Sequence, residues 1–158
     1  MTMKKRLFSV FFTLLLTFTC AIPSVFASEY SNIRQSNEGI VFLQDGSYII
    51  STIQENSCIS LYTTTHTKSG SKTSAVYSAS GDPLYSITVH GVFSYNGSSA
   101  SAISASYSYT DESPLWSFSN GSSSFSGATA TASGTFKSEQ ITKTLRAVLS
   151  CSANGTLS

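Results

Sequence analysis

Charge is scarce in this sequence: nine Lys or Arg and eight Asp or Glu in 158 residues, 11% of the chain. A nucleic-acid footprint needs Lys and Arg massed against phosphate, so that class of partner is excluded. Histidine is nearly missing as well, and His66 and His90 come without carboxylates or cysteines at ligand spacing. No metal centre and no cofactor are expected from such a set. The Gly-x-Ser-x-Gly nucleophile elbow is also absent, and among so many serines no nucleophile stands out. Outside the first nineteen residues no stretch of useful length carries the apolar spacing of an amphipathic helix.

What the chain has is Ser and Thr, about a third of residues 28–158, with Ile, Val, Leu, Tyr and Phe as its apolar content. Thr and the β-branched and aromatic residues favour strands, and Ser fills solvent-facing positions without charge. Low charge with repeated Ser also suits disorder, but regular apolar alternation argues for strands along most of the length.

The first residues, Met1-Thr-Met-Lys-Lys-Arg6, lead into an apolar run over 7–19 and then Val25-Phe26-Ala27, a small-x-Ala cleavage pattern. This reads as a secretory signal peptide, residues 1–27. The run is shorter than the roughly 20 apolar residues of a membrane span, and Pro23 follows it. Bulky Phe18 and Thr19 before Cys20 do not suit a lipobox. Cleavage after Ala27 leaves 131 of the 158 residues, enough for one domain with one modest core, with no membrane anchor retained. Loss of Lys4, Lys5 and Arg6 leaves six basic residues beside eight acidic ones, a net −2. Two cysteines survive, Cys58 and Cys151, and in an exported protein an even pair permits a disulfide, worth about 2–4 kcal/mol.

Residues 28–38 are polar without apolar period and read as a flexible leader to a single domain over 39–158. Two apolar runs meet at Asp45-Gly46, the preferred dipeptide of a two-residue hairpin, which sets Leu43 beside Tyr48 and Val41 beside Ile50. Residues 58–67 alternate as a strand, Lys68-Ser-Gly-Ser-Lys72 reads as a loop, and 73–79 as the next strand. The clearest alternation is 84–95, with Tyr85, Ile87, Val89, Gly91, Phe93 and Tyr95 on one face and Leu84, Ser86, Thr88, His90, Val92 and Ser94 on the other. A three-residue loop ending at Gly97 pairs odd positions with odd, placing Val89 near Ile103, Ile87 near Ala105 and Tyr85 near Tyr107. Asp111-Glu-Ser-Pro114 breaks the pattern, Trp116 and Phe118 share a side, Asn120-Gly121 reads as a turn, and strands follow at 125–136 and 140–151. Short strands with turn signals about every ten residues predict an all-β, antiparallel two-sheet β-sandwich, immunoglobulin-like, with about seven to nine strands.

Candidate binding residues follow from the loop. Tyr109 and Trp116 flank Asp111 and Glu112, so two amphipathic rings and two carboxylates sit beside an irregular segment, while Tyr85, Tyr95 and Tyr107 read as core. Asp111 and Glu112 are equally explained by turn formation, and an adjacent pair lacks the staggered oxygens of a calcium loop. His66 and His90 read as solvent-facing members of Thr-rich strands rather than general bases. The three Asn-Gly-Ser/Thr sequences at 96, 120 and 154 read as hairpin chemistry before glycosylation.

Leu43-Gln-Asp-Gly-Ser-Tyr-Ile-Ile50, Thr67-Lys-Ser-Gly-Ser-Lys72, the run from Tyr85 to Ser99 and the closing Leu149-Ser-Cys-Ser-Ala-Asn-Gly-Thr-Leu-Ser158 occur in an order that resembles a group of small exported β-sheet proteins of Gram-positive, Clostridia-like bacteria. The resemblance spans residues 42–157. It implies an extracellular location and an all-β topology, and no activity. It also implies a bridge from a cysteine just after the Asn-Gly-Ser-Ser turn to the last strand; here Ser101, Ala102 and Ile103 fill that region, and the other cysteine is Cys58.

The sequence is therefore expected to encode a secreted, non-enzymatic module that binds an extracellular or cell-surface ligand, a glycan or a protein. A secreted antimicrobial or inhibitory effector is the alternative, and a small hydrolase the third reading.

Overall fold

The computed structural model describes residues 32–57 and 64–158; the expected signal peptide, residues 28–31 of the leader and Cys58 lie outside them. Every regular element described is a strand: β1 (Asn32–Phe42), β2 (Tyr48–Ser57), β3 (His66–Tyr77), β4 (Pro83–Tyr95), β5 (Ala100–Asp111), β6 (Ser117–Ser126), β7 (Thr129–Lys137) and β8 (Thr142–Ser150). They form an antiparallel two-sheet β-sandwich, β1-β2-β3-β4-β5 in one sheet and β6-β7-β8 in the other. The layering and strand number are those expected. Within each sheet the connections are a meander, each strand pairing with its neighbour in sequence, and the chain crosses once between the sheets, from β5 to β6, without the Greek-key crossing of immunoglobulin domains.

The core forms where the two sheets face each other. β4 turns Tyr85, Ile87, Val89 and Phe93 inward, all buried, against Ala130, Ala132 and Phe136 of β7 and Leu145, Ala147 and Leu149 of β8. Gly91 is a packing device: a methyl there would sit 2.7 Å from the Phe93 ring and 3.2 Å from Ala130 Cβ. The small Ala residues and this glycine let β7 lie close to β4. Tyr85 stacks on Phe136, with centroids 4.4 Å apart. The second sheet packs over β3, β4 and β5, and the Ala102 amide of β5 reaches Gly127 O beyond β6 at 2.7 Å. One face of the five-stranded sheet is thus core, and among the described residues no layer covers its outer face.

Several local expectations give way to longer-range packing. β1 begins at Asn32, within the polar stretch read as leader, because ladder hydrogen bonds to β2 do not require an apolar period. Lys68-Ser-Gly-Ser-Lys72 is mid-strand in β3 rather than a loop. Gly70 is needed there because the Leu157 side chain and Gln54 O occupy the space of a β-carbon. Lys68 forms a 2.9 Å ion pair with Glu55 and donates to Gly155 O at 2.7 Å, while the Leu157 amide donates to Glu55 Oε1 at 3.3 Å. Residues 151–158 thereby fold back and plug one end of the sandwich, with Cys151 and Leu157 buried in a bridge to each other.

Turn chemistry shifts the other registers. At Asp45-Gly46 the turn spans 43–47, because the Ser47 amide and hydroxyl both donate to Asp45 Oδ1 and the Leu43 amide donates to Ser47 O. Phe42 accordingly faces Tyr48, and Val41 faces Ile49, one residue from the expected pairing. After β4 the turn is four residues, with Asn96 Oδ1 accepting from the Ser98 and Ser99 amides. Odd parity survives along most of the hairpin, but displaced: Val89 faces Tyr107, Ile87 faces Tyr109 and Tyr85 faces Asp111. A bulge at Ile103, expected on the aromatic face, turns that side chain out to solvent. Asn120-Gly121 lies inside β6, where a β-carbon at Gly121 would meet Phe118 and Tyr107 at 2.8 Å; the chain turns later, at Gly127.

Candidate functional site

Register across the five-stranded sheet arranges its outer face in rows, since residues directly opposite one another share a face. One row runs Phe42, Tyr48, Tyr77, Pro83; the next Ile40, Ile50, Ala75, Ser86, Thr110. Then come Thr52, Thr73, Thr88, Ser108 and, beyond them, Gln54, Ser71, His90, Ser106. The face therefore passes from aromatic to hydroxyl-bearing to amide and imidazole along the strand direction. Its hydroxyls are linked in pairs: Thr73 Oγ1 to Thr88 Oγ1 and Ser86 Oγ to Thr110 Oγ1, each 2.8 Å, and His90 Nε2 to Ser108 Oγ, 2.9 Å.

A depression of about 320 Å³ opens where the aromatic and hydroxyl rows meet, its outer-face walls formed chiefly by Thr73, Tyr77, Ser86, Thr88, Thr110 and Glu112. Tyr77 stacks on Tyr48 with one ring face, centroids 5.4 Å apart and planes 12° apart, and borders the depression. Each bonded hydroxyl pair spends one O–H internally, which leaves the other O–H and the remaining lone pairs for a further partner. Glu112 adds an exposed carboxylate, its segment held by Glu112 and Ser113 amides donating to Leu84 O at 3.1 Å. Among the described residues no Lys, Arg or His lines the depression. The set can stack on an apolar ring face and exchange hydrogen bonds with a polyhydroxylated ligand.

The four residues singled out from sequence do not form one cluster: Tyr109 and Asp111 share the same side of β5, and Glu112 and Trp116 lie beyond its end. Glu112 lines the depression. Asp111 faces Tyr85 across the ladder and is exposed. Tyr109 belongs to the inward face, where it stacks on Phe118 with centroids 3.6 Å apart, while keeping an exposed edge. Trp116 packs on Tyr85 at 4.6 Å, beside the core. The two rings thus line the seam between the sheets. His90 is exposed on the outer face, and His66 lies beside the Tyr95 ring at 5.4 Å; neither lines the depression.

Thr73, Ser86, Thr88 and Thr110 were missed as a group. The even face of β4 announces Ser86 and Thr88 as polar, but their neighbours on β3 and β5 follow from register alone. Cys151 carries a buried free thiol, pushed up from its ordinary pKa by burial; Cys58, its sequence partner, lies outside the described residues. Among the described residues no three His, Cys, Asp or Glu converge as a metal site, and no helix is long and apolar enough to cross a membrane. No protein-family model, curated protein or solved structure matches this chain to a significant degree.

Proposed function

We propose that the chain is exported and works outside the cell as a non-enzymatic binding module, holding an extracellular or cell-surface ligand on the outer face of its five-stranded sheet. The observation that carries this reading is the depression walled by Tyr77, paired Ser and Thr hydroxyls and Glu112, on a face that the second sheet leaves uncovered. Signal-peptide character at the N-terminus supports export. The Ser108–His90 contact serves as part of a flat polar track rather than as a nucleophile and base, since catalysis needs groups converging on a reacting atom.

Protein purified from the medium of an expressing Gram-positive host should bind saturably, at micromolar concentration, to at least one member of an array of glycans, cell-wall fragments and surface proteins. Thr88→Trp, which fills the depression from its floor, should abolish that binding while leaving the melting temperature close to wild type. An array without a binder contradicts the proposal. Inhibition of neighbouring bacteria by the purified protein, unaffected by Thr88→Trp, would select the effector reading instead.

A further inference from the structure

Resting on that reading, we infer that the ligand of the outer-face depression is an uncharged pyranose chain, bound along its length rather than by a charged end group. Three features of the depression lead there. Its volume, about 320 Å³, lies at the small end of ligand pockets, which run from about 300 Å³ upward, so it suits a ring-sized group and not a folded segment of a partner protein. Its walls combine an aromatic ring with paired hydroxyls, Thr73 with Thr88 and Ser86 with Thr110. A pyranose presents the complement: an axial C–H face for the Tyr77 ring and equatorial hydroxyls that donate and accept in the plane of the ring. The third feature is charge. Glu112 brings a carboxylate to the site, and among the described residues no Lys, Arg or His lines it. A carboxylate accepts strongly from neutral hydroxyls and repels a uronate, sialate or phosphate brought to the same place.

The depression also has an open end. The Thr52, Thr73, Thr88, Ser108 row and the Gln54, Ser71, His90, Ser106 row continue from it across an exposed to half-buried surface. Sugar units flanking the one in the depression would find hydrogen-bonding groups there about 6.8 Å apart from row to row along the strands and about 4.8 Å apart from strand to strand. Internal units of a polymer are thereby accommodated, and affinity should rise with chain length.

Calorimetric titration with hexasaccharides tests this directly. The probes are β-1,4-glucose, β-1,3-glucose, α-1,6-mannose and β-1,4-N-acetylglucosamine hexamers, with a galacturonate hexamer as the charged comparison. At least one neutral hexamer should bind, about tenfold or more tighter than its own disaccharide and than the galacturonate. Glu112→Gln should weaken the neutral hexamer about tenfold, the loss of one charge-assisted hydrogen bond. Tyr77→Phe should keep affinity within threefold, since the ring and not the hydroxyl is used, and Thr88→Trp should abolish binding. Galacturonate binding as tightly as any neutral hexamer, or neutral binding that survives Thr88→Trp, overturns the inference. If no hexamer binds while a surface protein is retained in a manner sensitive to Thr88→Trp, the sugar assignment falls and the binding role stands. If nothing is retained at all, both fall.

Discussion

Gly70 and Gly97 are glycines for different reasons, and substitution separates them. At Gly70 a methyl would collide with the Leu157 side chain and approach Gln54 O at 2.9 Å, and the second of these is backbone that cannot swing away. Gly70→Ala should cost about 1–3 kcal/mol in urea denaturation, the range of overpacking. At Gly97 nothing lies within 4 Å, but φ is +85°, so Gly97→Ala should cost about 1–2 kcal/mol from left-handed strain alone. Leu157→Ala should cost less in the Gly70→Ala background than in the wild type, since the two side chains compete for the same space, and its cost should be unchanged by Gly97→Ala. Cys151 is tested by its reactivity: the thiolate is the reactive form, and burial both hides the sulfur and raises its pKa. Peptide mapping after iodoacetamide at pH 8 should find Cys151 unmodified in the native protein and modified in urea; fast native labelling contradicts the burial. None of this was legible from Lys-Ser-Gly-Ser-Lys, because what fixes Gly70 in a strand is a side chain 87 positions further along.

Among the elements, the C-terminal segment carries more of the fold than its polar sequence suggests. The Ser150 amide donates to Ser158 O and the Ser158 amide to Ser150 O, closing a small hairpin through the Asn154-Gly155 turn. Leu157 then lies over Gly70, and the Tyr95 ring lies 2.5 Å from where a Gly155 β-carbon would be. Leu157→Ala should therefore cost about 2–4 kcal/mol, as for a buried leucine elsewhere, while Thr156→Ala at an exposed position should stay within about 0.5 kcal/mol. Chemical denaturation of both variants checks the contrast, and equal losses would show that the segment does not plug the core. Hairpins were legible where an alternating run met a turn dipeptide, as in β4 and β8. Their registers were not, because Asp45, through Ser47, and Asn96, through Ser98 and Ser99, lengthen the turns with side-chain hydrogen bonds that composition does not reveal. Asn-Gly turns the chain at 96–97 and 154–155 but is a strand interior at 120–121, where ring packing against Gly121 outweighs turn propensity.

For the molecule as a whole, the inward faces of β4, β7 and β8 were written plainly in their period-two alternation, and they fix a sandwich. The outer face was harder to read, since its function depends on which Ser and Thr side chains stand beside each other. Reading Lys68 to Lys72 as a loop takes away the first part of β3 and with it the row that joins Gln54, Ser71 and His90. Burial raises the pKa of the Tyr85 phenol, aided by the Asp45 charge, above its ordinary 10.0, and that of the Cys151 thiol above 9.0. In both cases the unfolded chain releases its proton first, so their contribution is complete below about pH 9 and declines as the pH rises through the folded values. Melting temperature should fall steadily from pH 9 to 11, and less steeply in Tyr85→Phe with Cys151→Ala; an identical decline in wild type and variant contradicts that origin. N-terminal sequencing of the exported protein should begin at Ser28.

The outer face of the five-stranded sheet is the proposed binding surface. Backbone amide shifts, followed by heteronuclear NMR while the tightest-binding neutral hexasaccharide is added, test it most directly. Saturable shifts should cluster at Thr73, Tyr77, Ser86, Thr88, Thr110 and Glu112, trailing into Ser71 and His90, with β7 and β8 unmoved. Shifts confined to Tyr109, Trp116 and the β5–β6 seam, or to the three-stranded sheet, would contradict it.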